Sequence, residues 1–146
     1  MKKQKIITIC SSASFYKQVI EVQQQLQKLG FKVVVPLTAN KMKRSGDFDV
    51  AHYKTWFKTG DYKRKAYLTK KHFAEVAKGD ITLVLNYPKN GRPGYIGGAV
   101  LCEMGLAFYL GKSIYILNPI DETSNFKEEI LGMQPVIING DLRKIK

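Results

Sequence analysis

Residues 6–10 read Ile-Ile-Thr-Ile-Cys, a β-branched run with no apolar/polar alternation. A strand that shows one face to water alternates; a run like this suits a strand of a parallel sheet covered on both faces. The segments that follow keep the same logic. Ser11 to Ser14 form a small-residue loop, and Phe15, Val19, Val22 and Leu26 then recur at helical spacing up to a stop at Gly30. Phe31 to Val35 reads as a second strand closed by Pro36, and Asp80 leads into a third, Ile81 to Leu85. A loop rich in turn formers, Asn86 to Gly98, opens an almost wholly apolar helix that runs to Gly111. Ile114 to Leu117 is the fourth strand, Asn125 three residues before Glu128 fits a helix start, and Val136 to Ile138 is a short fifth strand.

Strands alternating with helices at this spacing predict an α/β fold: a doubly wound, mostly parallel five-stranded sheet, flavodoxin- or Rossmann-like, with helices on both faces and right-handed crossovers. The 146 residues, 45% of them hydrophobic, fit one domain with one core, and no internal repeat is visible. Ligands of such sheets sit beyond the carboxyl ends of the strands, so the loops at 11–14, 86–98 and after Leu117 are expected to converge.

No apolar run approaches the ~20 residues that span a bilayer, because Glu103 interrupts the longest, Ala99 to Leu110. The basic start followed by Ile6 to Cys10 is too short in its apolar part for a secretory signal and is read as a strand. The two cysteines, Cys10 and Cys102, are far apart and lack metal-ligand spacing, which points to a reducing, cytoplasmic compartment and to no metal site.

Charge is the other strong feature. With 24 Lys+Arg against 12 Asp+Glu, the chain carries a formal +12. Much of the excess lies between Lys41 and Lys71, where basic residues interleave with Phe48, Tyr53, Trp56, Phe57, Tyr62 and Tyr67. Helical periodicity fades from residue 38 to about 67, so this stretch reads as a long basic and aromatic insertion, with helical spacing resuming at Phe73 and Val76. Such a cluster either binds nucleic acid or steers small anionic substrates into a cleft. No nucleic-acid motif occurs in it, which favours a basic flap near a pocket for a small anion.

Glu103 is the outstanding single residue. It is the lone charge on an apolar helix, where an ionised carboxylate is costly unless something pairs with it. Beside a ligand loop it is a candidate nucleophile or base; the alternative is a structural carboxylate satisfied by a cation or by backbone amides.

The order of parts is a first strand ending in a small-residue loop, Asp80 opening a later strand, a Gly-rich loop, then Glu103-Met104-Gly105-Leu106-Ala107 followed by Gly111-Lys112 and another strand. In this it resembles the nucleoside 2-deoxyribosyltransferase-like enzymes, which include deoxynucleoside 5′-monophosphate N-glycosidases. The resemblance covers most of the chain. It implies that Glu103 attacks the anomeric carbon and expels the base, leaving a glycosyl ester that water or a second base resolves, as in retaining glycosidases. Where those enzymes carry an Asp eight positions before the strand-opening Asp, this chain has His72, a residue able to protonate a departing nitrogen or, alternatively, a surface histidine beside Lys70 and Lys71.

The resemblance further assigns sugar or phosphate contacts to the Ser11 and Ser12 loop and to main chain at Gly97 and Gly98, where some relatives place a polar side chain. Asp80 and Asn86 complete the expected substrate-binding set, Asn86 either facing the ligand or capping a turn. The partner implied is a nucleoside or nucleotide handled by a homo-oligomer, with no cofactor, no membrane and no nucleic acid. Two other classes compete: a non-catalytic nucleotide sensor, favoured by His72 in place of Asp, and a basic nucleic-acid module. Cys10 reads as a core cysteine.

Overall fold

The computed structural model describes residues 3–146. Five strands, β1 (Ile6–Ser11), β2 (Lys32–Val34), β3 (Ile81–Leu85), β4 (Ser113–Ile116) and β5 (Val136–Ile137), form one sheet in the order β2-β1-β3-β4-β5. Every pairing is parallel, so the expected mostly parallel sheet is wholly so. The helices are α1 (Tyr16–Lys28), α2 (Leu37–Ser45), α3 (Trp56–Thr59), α4 (Lys63–Lys78), α5 (Gly98–Tyr109) and α6 (Lys127–Gly132).

Period-two alternation along the central strands divides the core. Ile7 and Ile9 of β1, with Ile81, Leu83 and Leu85 of β3, pack under Val19, Val22 and Leu26 of α1 and Ala39 of α2. Cys10 and Val84 face the other way, against Val76 of α4 and Val100, Met104 and Ala107 of α5. Register is tight because one residue of slip would exchange these faces; Ile7 pairs with Ile81 and Ser11 with Leu85.

The stretch at 38–67, expected as irregular, is largely helical. Its helices were hidden by their meagre apolar faces. In α2 only Ala39 and Met42 are buried, and α4 starts ten residues before Phe73 with no buried residue ahead of His72. The last helix also begins later than Asn125 suggested: Phe126 is its N-cap residue, and Ser124 Oγ accepts the Phe126 N–H at 3.0 Å.

Two local devices aim the loops. Asn86, fully buried at the carboxyl end of β3, exchanges hydrogen bonds with Asn118: its Nδ2 donates to Asn118 O at 2.8 Å and its Oδ1 accepts from Asn118 N at 2.9 Å. Gly94 (φ +60°) lies so close to this segment that a Cβ there would stand 2.2 Å from Pro119 O, a position only glycine fills. Together they fix the approach to α5.

Thr82, fully buried in β3, has a hydroxyl with no hydrogen-bond partner among the described residues. Replacing it with the near-isosteric valine removes an unsatisfied buried oxygen, so Thr82→Val is expected to stabilise the protein by about 1 kcal/mol. Thermal unfolding is then expected about 3 °C higher; a lower midpoint would show the hydroxyl to be satisfied.

Candidate active site

A cavity of about 460 Å³ opens beyond the carboxyl end of β1. Its floor comes from Ser11 and Ser12, one wall from the first turns of α5, and the opposite wall from α2, α3 and α4. The basic and aromatic segment therefore reaches the cavity: Tyr53, Lys54, Trp56, Lys65 and Lys71 all line it.

Glu103 occupies the core stripe of α5, in register with Val100, Met104 and Ala107, and is 8% exposed. Spacing of three and four residues turns all of them inward. His72 takes the same place on α4, one turn before Val76, and is also 8% exposed. Where α4 and α5 pack, the two polar members of otherwise apolar stripes meet, with His72 Nε2 3.3 Å from Glu103 Oε2. His72 is thus not a solvated surface histidine.

Both ring nitrogens face acceptors. Nδ1 lies 3.0 Å from Glu75 Oε2, and Nε2 lies 3.0 Å from Ile9 O as well as against Glu103. Imidazolium is the form that donates from both nitrogens. Burial by itself pulls the ring's pKa down, but the Glu75 hydrogen bond, the charges of Glu103 and Glu75 and the Ile9 carbonyl outweigh it and raise the pKa. Lys71 Nζ holds the other Glu75 oxygen at 3.3 Å, and Glu75 stays below its ordinary range despite its own burial.

Desolvation dominates the rest of the cluster. Burial pushes the Glu103 carboxyl up, opposed by His72 and by the nearby Cys10 thiol. The same burial, with the Glu103 charge added, pushes the Cys10 thiol and the Tyr16 phenol well up. Both stay neutral around a carboxylate whose negative charge has one adjoining cation, His72.

Farther out the cavity is cationic. Lys89 Nζ donates to Ser12 Oγ at 3.0 Å and sits 4.9 Å above the Tyr95 ring, while Lys65 Nζ lies 5.8 Å from the Trp56 ring centre. Burial lowers the pKa of Lys54, and repulsion from Lys65 and Lys89 lowers it further, a sign that the three ammonium groups share one region. None of the three belongs to an ion pair among the described residues.

Of the residues expected from sequence, Glu103, His72, Ser11, Ser12, Gly97 and Gly98 line this cavity. Two do not belong to it. Asp80 lies just before the amino end of β3, at the opposite end of the strands from the cavity, where its Oδ2 accepts the Ile6 N–H at 2.8 Å and ties two strands together. Asn86 is spent on the Asn118 clamp, the turn-capping alternative. Glu75, Lys89, Tyr16 and Tyr95 were missed. Glu75 was readable in principle, since a carboxylate three residues after His72 on a helix shares its face; Lys89 carried no signal in a loop of turn formers.

No family model matches the chain, and no curated protein does. Among solved structures, a 2-deoxyribosyltransferase from the psychrotolerant bacterium Bacillus psychrosaccharolyticus is similar, with a TM-score of 0.50 and 21% identity over 84% of this chain and 78% of that one. The two chains share a fold. At that identity the likeness speaks for the doubly wound sheet and leaves the chemistry to the residues themselves.

Removing one partner of a buried pair strands the other, at a cost of roughly 3 kcal/mol. His72→Leu is therefore expected to lower stability by about that amount in urea unfolding with an unchanged slope. Adding Glu103→Leu is expected to recover most of the loss; simple additivity of the two changes would show that the residues do not interact.

Proposed function

We propose that the protein breaks or exchanges the N-glycosidic bond of a nucleoside or nucleoside monophosphate, with Glu103 as the nucleophile. The observation that carries this reading is a desolvated carboxylate, held by an imidazolium, at the wall of a cavity otherwise rich in lysine and aromatic side chains. A carboxylate in that setting is suited to meet the positive charge that develops at an anomeric carbon as its base departs. The fold likeness to a 2-deoxyribosyltransferase adds support.

In the first step a Glu103 oxygen bonds to the anomeric carbon, and the electrons of the C–N bond leave with the base, which takes up a proton. In the second, water or another base attacks the same carbon and the ester bond returns its electrons to Glu103. Displacement brings the nucleophile in opposite the leaving group. A proton carried on a ring that touches Glu103 therefore starts on the wrong side of the sugar. His72 is accordingly assigned to positioning Glu103 and balancing its charge, in place of the acid role expected from sequence.

Ser11, Ser12 and the main chain at Gly97 and Gly98 border the sugar side, and Lys54, Lys65 and Lys89 suit a phosphate. Tyr16, Trp56 and Tyr95 offer faces to a base. A sensor that binds a nucleotide without turnover is the competing reading, and it predicts binding with no base released over hours.

Glu103→Gln is expected to fold normally and to release base at least about 10³-fold more slowly than the unaltered protein, measured across nucleosides and their 5′-monophosphates. Full activity in that variant would end the assignment. Adding a second free base to the same assay separates exchange from hydrolysis. Changing Lys54, Lys65 or Lys89 to Ala is expected to raise KM for the monophosphate about tenfold while altering nucleoside turnover far less. Equal effects on both substrates would remove the phosphate from their role.

A further inference from the structure

Cys10 has no part in the chemistry above, yet its thiol is fully buried against the two most important side chains of the site. Its Sγ lies 3.5 Å from His72 Nε2, which in turn lies 3.3 Å from Glu103 Oε2, and the three donor atoms all fall within 4.8 Å of one another. We propose that Cys10, His72 and Glu103 form a coordination site for a thiophilic divalent cation of the zinc type, and that its occupation silences Glu103. The silencing rests on the reading of Glu103 as nucleophile; the binding does not.

Three features of the donor set support this. Zinc bonds of about 2.3 Å to sulfur and about 2.0 Å to nitrogen or oxygen, at tetrahedral angles, require sulfur–nitrogen and nitrogen–oxygen edges of about 3.5 and 3.3 Å. The two shorter edges here match, and the third lies within the 4.8 Å that encloses all three donor atoms. The donors are a thiol, an imidazole and a carboxylate from three separate elements, β1, α4 and α5, a mixed soft and borderline set that suits zinc and disfavours magnesium or calcium. Behind the imidazole, Glu75 accepts from Nδ1 at 3.0 Å, the outer carboxylate that fixes which ring nitrogen faces a metal.

Charge and protons also balance. A Cys10 thiolate, a neutral His72 and an ionised Glu103 supply two negative charges to a dication. The Cys10 thiol proton and the His72 Nε2 proton pass to water, while the Nδ1 proton stays on the ring and is donated to Glu75. The Ile9 carbonyl, 3.0 Å from Nε2, loses its donor to the cation. The cavity that borders His72 and Glu103 provides the entry path and room for a water in the open position. With its lone pairs on the cation, Glu103 no longer attacks carbon.

The decisive measurement is a titration of chelator-treated protein with Co²⁺, read by absorption. The expected result is a near-ultraviolet thiolate-to-cobalt band with visible bands of a four-coordinate ion, all erased by Zn²⁺. Cys10→Ser removes the near-ultraviolet band, Cys102→Ser keeps it, and Glu75→Gln weakens affinity by about 10–100-fold. X-ray absorption of the zinc-loaded unaltered protein, expected to show one sulfur near 2.3 Å among nitrogen and oxygen ligands, gives the same answer should Cys10→Ser fail to fold. Absence of the band in unaltered protein, its survival in Cys10→Ser, its loss in Cys102→Ser, or a zinc shell without sulfur each overturns the site, whatever the turnover assay shows. Where base release is measurable, zinc is expected to suppress it and a chelator to restore it; a zinc-loaded protein with undiminished turnover overturns the silencing alone.

Discussion

The structure turns on one carboxylate placed where an apolar side chain would pack. Glu103 shares the inward stripe of α5 with Val100, Met104 and Ala107, so the helix cannot bury its core face without burying the charge. Every notable group nearby answers that problem. His72 replaces what would be an apolar contact from α4 with a cation, Glu75 and the Ile9 carbonyl keep that cation protonated, and Lys71 holds Glu75 in turn. The chain of partners runs from the middle of the core to the cavity rim without leaving a buried charge alone.

Such a network is a poor way to make a protein stable. Exchanging a buried ion pair for apolar side chains of similar size is often neutral or favourable, because desolvating two charges cancels much of their attraction. The arrangement makes sense as a way to hold a carboxylate dry, ionised and oriented toward a cavity, the state in which it is most reactive toward an electron-poor carbon. Stability is the wrong yardstick for it.

The strands were legible because a buried parallel strand needs little context: short runs dominated by β-branched and other apolar residues admit few other fates, and β1, β3 and β4 stand within a residue of their expected places. Glu103 was legible for the opposite reason, as the one charge in an apolar helix. The helices between 37 and 78 were obscured because they bury so little; α4 commits only His72 and Val76 to the core, and lysine or arginine fills six of its sixteen positions. Asp80 misled because a carboxylate at the start of a strand looks the same in sequence whether it meets a ligand or a backbone N–H, and here β1 supplies the N–H. The contact between His72 and Cys10 spans 62 residues, a distance over which ligand spacing in sequence says nothing.

The two faces of the sheet divide the work. Toward α1 and α2, β1 and β3 present Ile7, Ile9, Ile81, Leu83 and Leu85, and the cluster they build is apolar throughout. Toward α4 and α5 they present Thr8, Cys10, Thr82 and Val84, where Thr8 donates to Glu75 O and Thr82 leaves its hydroxyl unpaired. Apart from Ser11 at the end of β1, the hydroxyl and thiol groups of the central strands, the buried histidine and the buried glutamate thus gather on one side. A domain whose net stability is only about 5–15 kcal/mol can tolerate such a face because the other contributes close-packed aliphatic surface without polar cost. That division also explains why the cavity lies where it does: α4 and α5 meet over the polar side, and the carboxyl end of β1 delivers Ser11 and Ser12 to their edge.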